Sequence, residues 1–215
     1  MVLSLIHHAS DGQHRCSWCG QGDTFADYIH YHDHEWGTPV ADEKRLFEKI
    51  TLEGFQSGLS WLTVLRKRDR FREVFKGFDF EKVARFTDVD IERLVQDAGI
   101  IRHRGKIISA IDNAQKACAL IDKHGTGALA KLVWRHEPAT KARPARITPE
   151  VATSLAQTPE SLQLSKSLKK LGFNFVGPTT MYALMQSMGV VNDHLEGCAQ
   201  RARAEAARAA FKRPV

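Results

Sequence analysis

The sequence predicts an all-α fold, and three observations carry that reading. Apolar residues recur at three- and four-residue spacing through most of the chain. Asp, Ser or Thr stands immediately before several of those segments, where a helix start needs a side-chain acceptor. No alternating apolar–polar run is long enough to compete as a strand.

Taken in order, Asp42 is placed to cap a helix whose buried side is Leu46, Phe47 and Ile50. Ser60 opens the next, with Leu62, Val64, Leu65 and later Phe71, Val74 and Phe75 inside. Thr87 with Asp90 forms an N-terminal capping pattern before Ile91, Leu94 and Val95, and Gly99 supplies a stop. Residues 107–121 read as a long helix ending before Gly125, with Cys118 as core. Thr158-Pro159-Glu160 is a strong start: a cap, a proline whose missing N–H costs nothing there, and an acid for the dipole. Residues 141–149 hold two prolines without helical period and read as a loop. A helix ending at Gly172, a short hairpin, and a helix over 180–188 complete the series.

With 215 residues the chain is long enough to bury a substantial core. Its 43% hydrophobic and 26% charged content is ordinary for a globular protein. No apolar run approaches the roughly 18 residues of a membrane span, and the first residues lack a signal-peptide pattern. Four cysteines are too few for a disulfide scaffold, so a reducing, intracellular setting is expected. Lys plus Arg exceeds Asp plus Glu by 31 − 25 = 6, which moderately favours a polyanionic partner. Basic stretches recur at 66–72, 102–106 and 166–170, and an Ala/Arg tail, readable as a solvated end, closes the chain.

Metal-ligand types gather near both ends. His194 and Cys198 are four apart, so a helix would project both from one face; Cys16 and His32 lie near the start. Two sulfurs and two imidazoles would make a closed tetrahedral zinc set. Cys19, His30 and His34 are rivals on spacing alone, and buried free thiols are the plain alternative.

Residues 169–180 read as two helices joined by a hairpin with Gly172 and Gly177 at its ends. Such glycines let backbone N–H groups approach phosphates. Glu53 is a lone carboxylate in an otherwise uncharged stretch that ends at Trp61; it is either paired or kept for a ligand. Tyr28, Tyr31, Trp36 and, beside Cys16, Trp18 supply rings, with Trp36 read as half-buried core at a helix end.

These blocks together resemble the DNA-3-methyladenine glycosylase I family. The resemblance is carried by Arg15-Cys16-x-Trp18, by Tyr31-His32-Asp33-x-Glu35-Trp36-Gly37, and by Leu52-Glu53-Gly54 through Gly58-Leu59-Ser60-Trp61. It continues through Asp97-Ala98-Gly99-Ile100-Ile101-Arg102 and Gly172-Phe173 to Val191-Asn192-Asp193-His194. It runs from about Arg15 to Cys198. Residues 15–198 are therefore expected to form the glycosylase domain, 1–14 a flexible extension, and 199–215 a tail.

The resemblance implies a helix-hairpin-helix glycosylase whose N- and C-terminal segments are joined by one structural zinc. Its ligands would be Cys16, His32, His194 and Cys198, with Cys19 a remaining competitor. Glu53 would be the catalytic residue of the base pocket, with Tyr31 and Trp61 stacking on the base and Trp18 and Tyr28 completing the wall. Gly58 and Leu59 would lie at the intercalation point, and the hairpin from Gly172 to Gly177 on the DNA backbone. The implied activity is hydrolytic release of 3-methyladenine from alkylated double-stranded DNA, without a lyase step. The implied setting is a monomer in the bacterial cytoplasm, with the free base as product. Asp193 follows the hairpin, where many helix-hairpin-helix glycosylases carry an Asp that stabilises the sugar cation or orients water, but beside His194 it reads rather as a helix cap or a partner of the metal site.

Overall fold

The computed structural model describes residues 3–214. Helices dominate, as the periodicity predicts, but the chain is not purely helical. Two short strands, β1 (Leu5–His8) and β2 (Gln13–Cys16), pair antiparallel with Leu5 opposite Cys16 and His8 opposite Gln13. Each is four residues long and neither alternates cleanly between buried and exposed, so there was no period-2 signal to read. Most of the segment expected to precede the domain thus lies in a hairpin that delivers Cys16.

Helix α1 (Ala26–His34) carries the aromatic and histidine run. Helix α2 (Glu43–Gln56) starts at Asp42, whose carboxylate accepts from the Arg45 N–H at 2.9 Å. Every residue of α2 from 46 to 55 is buried, including Glu48, Lys49 and Glu53, so this helix is enclosed on all sides rather than on one face. It packs against later helices that surround it. Ser60 caps α3 (Trp61–Leu65), and the chain then turns into α4 (Arg68–Val74) instead of continuing as one helix. Short α5 (Phe80–Val83) and α6 (Asp88–Gln96) follow, the latter opened by the Thr87/Asp90 capping box.

Helix α7 (Arg104–His124) is the longest, and α8 (Ala128–Trp134) begins where Glu43 accepts from the Gly127 and Leu129 N–H groups, each at 2.8 Å. The segment read as a loop ends earlier than expected: Pro149 opens α9 (Pro149–Ser154) as its first residue, capped by Thr148. Helices α10 (Pro159–Lys170) and α11 (Pro178–Ser187) flank the hairpin. Gly172 turns it at φ 89°, a left-handed conformation that favours glycine. The α7 side chain of Asn113 clamps the hairpin, accepting from the Asn174 N–H at 2.8 Å and donating to its carbonyl at 3.0 Å.

The Ala/Arg tail forms α12 (Arg201–Ala210) and packs on the body. Arg208 pairs with Glu137, and the Phe211 ring lies 4.4 Å from that of Trp134. Just before it, Gly189 allows the backbone to pass Thr38 and Pro39 so closely that a Cβ would sit 2.4 Å from the Pro39 nitrogen. Among the described residues, no helix is long and apolar enough to cross a membrane.

Candidate base pocket and Cys/His cluster

The hairpin β1–β2, the end of α1 and the loop after α11 bring four ligand-type side chains together. Cys16, His32, His194 and Cys198 are all buried, and one donor atom from each lies within 4.8 Å of the others. Cys198 Sγ is 3.5 Å from both His32 Nε2 and His194 Nδ1. That is the sulfur–nitrogen edge, about 3.5 Å, of a tetrahedron built on ordinary zinc–ligand bonds. The distant ring nitrogens are also occupied. His32 Nδ1 lies 2.7 Å from Asp33 Oδ1, itself gripped by Arg15, and His194 Nε2 lies 3.1 Å from the Trp36 carbonyl. Such contacts orient each ring and leave its inward nitrogen bare to bind a metal. A shared proton with Cys16, then the two imidazoles, hold the Cys198 thiol far below its usual range, while Cys16 is pushed up. The donor set, its spacing and its outer partners fit a closed four-coordinate ion.

The rivals fall elsewhere. Cys19 is buried outside the cluster, its sulfur 3.8 Å from the Gly20 carbonyl, and burial pushes its thiol up to about 12. His30 and His34 are exposed and stack on each other at 4.6 Å.

A cavity of about 250 Å³ adjoins the cluster, with Cys16 and Leu195 in its wall. Trp18, Tyr28, Tyr31, Trp36, Glu53 and Trp61 line it, so the aromatic and acidic residues singled out in three separate stretches of sequence share one space. This is smaller than the roughly 300–1,000 Å³ of pockets for drug-sized ligands. Trp18 is the hub of the rings, with centroids 5.1 Å from Tyr28 and 5.0 Å from Trp36. Trp36, expected to be plain half-buried core, is half-buried and also faces the cavity. Burial holds the Tyr31 and Tyr28 hydroxyls protonated, well above the ordinary phenol range.

Glu53 is only 4% exposed and is paired: its Oε1 lies 2.8 Å from Lys49 Nζ, one turn earlier on α2. The same ammonium donates to the Tyr31 hydroxyl at 2.9 Å and sits 3.1 Å from the Trp61 ring centroid. Sequence reasoning missed Lys49; its four-residue spacing from Glu53 was the available signal. It also missed Gln56 and Gln186, which reach the same cavity.

Asp193 lines the cavity too, and the structure corrects its expected role. It neither caps a helix nor touches the cluster. Its Oδ2 accepts from Tyr182 at 2.6 Å and from Gln186 at 2.8 Å, while Oδ1 takes Arg143. Arg143 and Tyr182 belong to this arrangement through chain-distant contacts that no local pattern announces.

The expected DNA-contacting residues lie apart from the cavity. Gly58 (φ 82°) and Leu59 (42% exposed) form the turn after α2, and Lys106 fixes its start by donating to the Phe55 and Ser57 carbonyls at 2.9 and 2.6 Å. Gly172 and Gly177 bound the hairpin, whose Phe175 abuts α2 at Gly54, and Lys169 and Lys170 stay exposed beside it. The 66–72 stretch, read as favouring a polyanion, is largely spent inside the protein: Arg66 pairs with Asp27, Arg68 with Glu35, Arg70 with Asp97 and Arg72 with Glu48.

The chain is similar to known 3-methyladenine DNA glycosylases. DNA-3-methyladenine glycosylase 1 of Escherichia coli is 50% identical over 187 residues, covering 86% of this chain and 95% of that protein. The DNA-3-methyladenine glycosylase of Haemophilus influenzae is 46% identical over 187 residues, covering 86% and 96%. A crystal structure of 3-methyladenine DNA glycosylase I superposes with a TM-score of 0.77 at 44% identity, covering 86% of this chain and 98% of its own. The structure describing 3-methyladenine recognition by the Staphylococcus aureus enzyme gives 0.74 at 34% identity, covering 82% and 92%. The methyladenine glycosylase family pattern matches residues 18–202, and the chain belongs to that family.

Proposed function

We propose that this chain releases 3-methyladenine from alkylated double-stranded DNA by hydrolysis, acting as a monomer in the bacterial cytoplasm. One observation carries the reading: a buried carboxylate, Glu53, stands in the wall of an aromatic cavity in a member of this family. A base inside a duplex is out of reach, so it must be flipped out, and a damaged base costs less to extrude. N3-methylation makes adenine cationic and weakens its bond to the sugar. Tyr31 and Trp61 stack on the extruded base, with Trp18 and Tyr28 as the remaining wall; electron-rich faces favour the cation over a neutral purine. Glu53 accepts hydrogen bonds from the exocyclic amine and complements the positive charge.

When the N-glycosidic bond breaks, its electron pair goes to the base and neutralises it, so no strong protein acid is needed. The cationic sugar left behind takes the oxygen of water, and a proton goes to solvent. Asp193 is held by Arg143, Tyr182 and Gln186, which supports discrimination of the base, more than acid–base power, as the source of rate. No lysine attacks the sugar, and the reaction stops at base release. Gly58 and Leu59 enter the duplex, and the hairpin from Gly172 to Gly177 grips the backbone through its N–H groups.

The same reading assigns one zinc ion to Cys16, His32, His194 and Cys198. Bound there it holds the two ends of the chain together and offers no open coordination position.

The test is base release from methylated duplex DNA by purified protein, beside the Glu53→Gln variant and a chelated control. Release of 3-methyladenine but not 7-methylguanine is expected, strongly reduced in Glu53→Gln. Folded, metal-loaded protein that binds the DNA and releases nothing would make it a binding module instead.

A further inference from the structure

We propose that Lys49 is a positioning residue for base recognition, its buried ammonium fixing one Glu53 carboxylate oxygen so that the other is presented to the base. This rests on the reading of Glu53 given above. Trp61 and Tyr31 line both the main cavity and a much smaller one behind it, and Lys49 lines only the smaller. From there its ammonium touches three base-recognising groups at once: Glu53 Oε1 at 2.8 Å, the Tyr31 hydroxyl at 2.9 Å and the Trp61 ring face at 3.1 Å.

The surrounding charges leave Lys49 to Glu53. Glu35, after α1, is bound at 2.6 and 2.8 Å by Arg68 of α4; Glu48 of α2 is bound by Arg72, with Arg45 at their edge. Burial lowers Lys49 to about 8, so it stays charged through the neutral range and gives up its proton just above it. A carboxyl enclosed by rings and left without that partner takes up a proton more readily. It then offers a donor where the exocyclic amine needs an acceptor.

The inference predicts a pH signature that packing alone would not produce. Binding of free 3-methyladenine, followed by NMR, is compared in wild type and Lys49→Met between about pH 5.5 and 8.5. Dividing one by the other removes the titration of the base itself. The variant should lose affinity by roughly tenfold or more at the acid end, the scale of a hydrogen bond to a charged group. The two proteins should converge at the alkaline end, where wild-type Lys49 is also neutral. A ratio constant across pH overturns the proposal.

Should Lys49→Met fail to fold, the double variant Lys49→Met/Glu53→Gln, which buries no unpaired charge, is set against Glu53→Gln. Equal affinity of those two proteins is expected, because Lys49 acts only through Glu53. A further tenfold loss in the double variant overturns the inference. Wild-type affinity in Glu53→Gln itself removes the underlying reading of the pocket, an outcome distinct from failure of the Lys49 arm.

Discussion

The Cys/His cluster and the aromatic cavity share a wall at Cys16 and Leu195, yet they treat polar groups in opposite ways. In the cluster the ring nitrogens facing away from its centre have partners of their own: Asp33 for His32 and the Trp36 carbonyl for His194. Among the residues that line the cavity, Trp61 has its Nε1 buried with no partner among the described residues. A buried polar group without a partner costs stability, so a fold retains one where something else compensates. The outward nitrogens of the cluster are satisfied within the protein, whereas a polar atom of the cavity's wall is not.

Breaking the cluster should have the largest effect. Cys198→Ser should abolish stoichiometric metal in elemental analysis and cost several kcal/mol, which for a domain of this size lowers Tm by roughly 10 °C or more. Full metal content with an unchanged Tm would refute that ligand. Breaking the cavity should act on the base and spare the fold. Glu53→Gln should weaken 3-methyladenine binding by about 1.5–3 kcal/mol, the worth of hydrogen bonds to a charged acceptor, as read by calorimetry or NMR. Trp61→Ala should cost less, roughly 0.5–2 kcal/mol of cation–π attraction, with metal content untouched. Smallest is Asp42→Ala. Loss of this cap should cost about 1 kcal/mol of stability, measured by denaturant unfolding, and leave base affinity as it was. A large affinity loss there would mean the cavity depends on the start of α2 more than its distance in sequence from Glu53 suggests.

How much of this was legible in the sequence depended on whether the signal was local. Asp42, Ser60, Thr87 and Thr158 announced helix starts because a cap and the N–H that donates to it lie within three residues. Glu53 stood out because an acid in an apolar stretch demands an explanation. Lys49 did not, because a lysine in an amphipathic-looking helix reads as surface until α2 is seen to be enclosed on all sides. The basic run at 66–72 misled for the opposite reason. Apart from Glu73, which pairs with Arg70, and Asp69, 3.6 Å from Arg72, its acidic partners lie between 24 and 39 residues away, so little nearby showed that those charges were already neutralised. The β1–β2 hairpin was too short to carry a period, and Tyr182, Arg143 and Asp193 meet only through the tertiary fold.

The closure of the cluster also sets a timetable. Cys198 follows His32 by 166 residues, and Leu195, whose N–H reaches the Cys16 sulfur, follows it by 179. During synthesis Cys16 and His32 must therefore wait, as half a site, until nearly the whole domain has left the ribosome. Two ligands hold a metal weakly and four hold it tightly, so an ion bound by this set would be taken up at the end of folding. A chain cut short between Trp61 and His194 would carry the rings and Glu53 but only half of the Cys/His set, and would be exposed to proteolysis as an incomplete product.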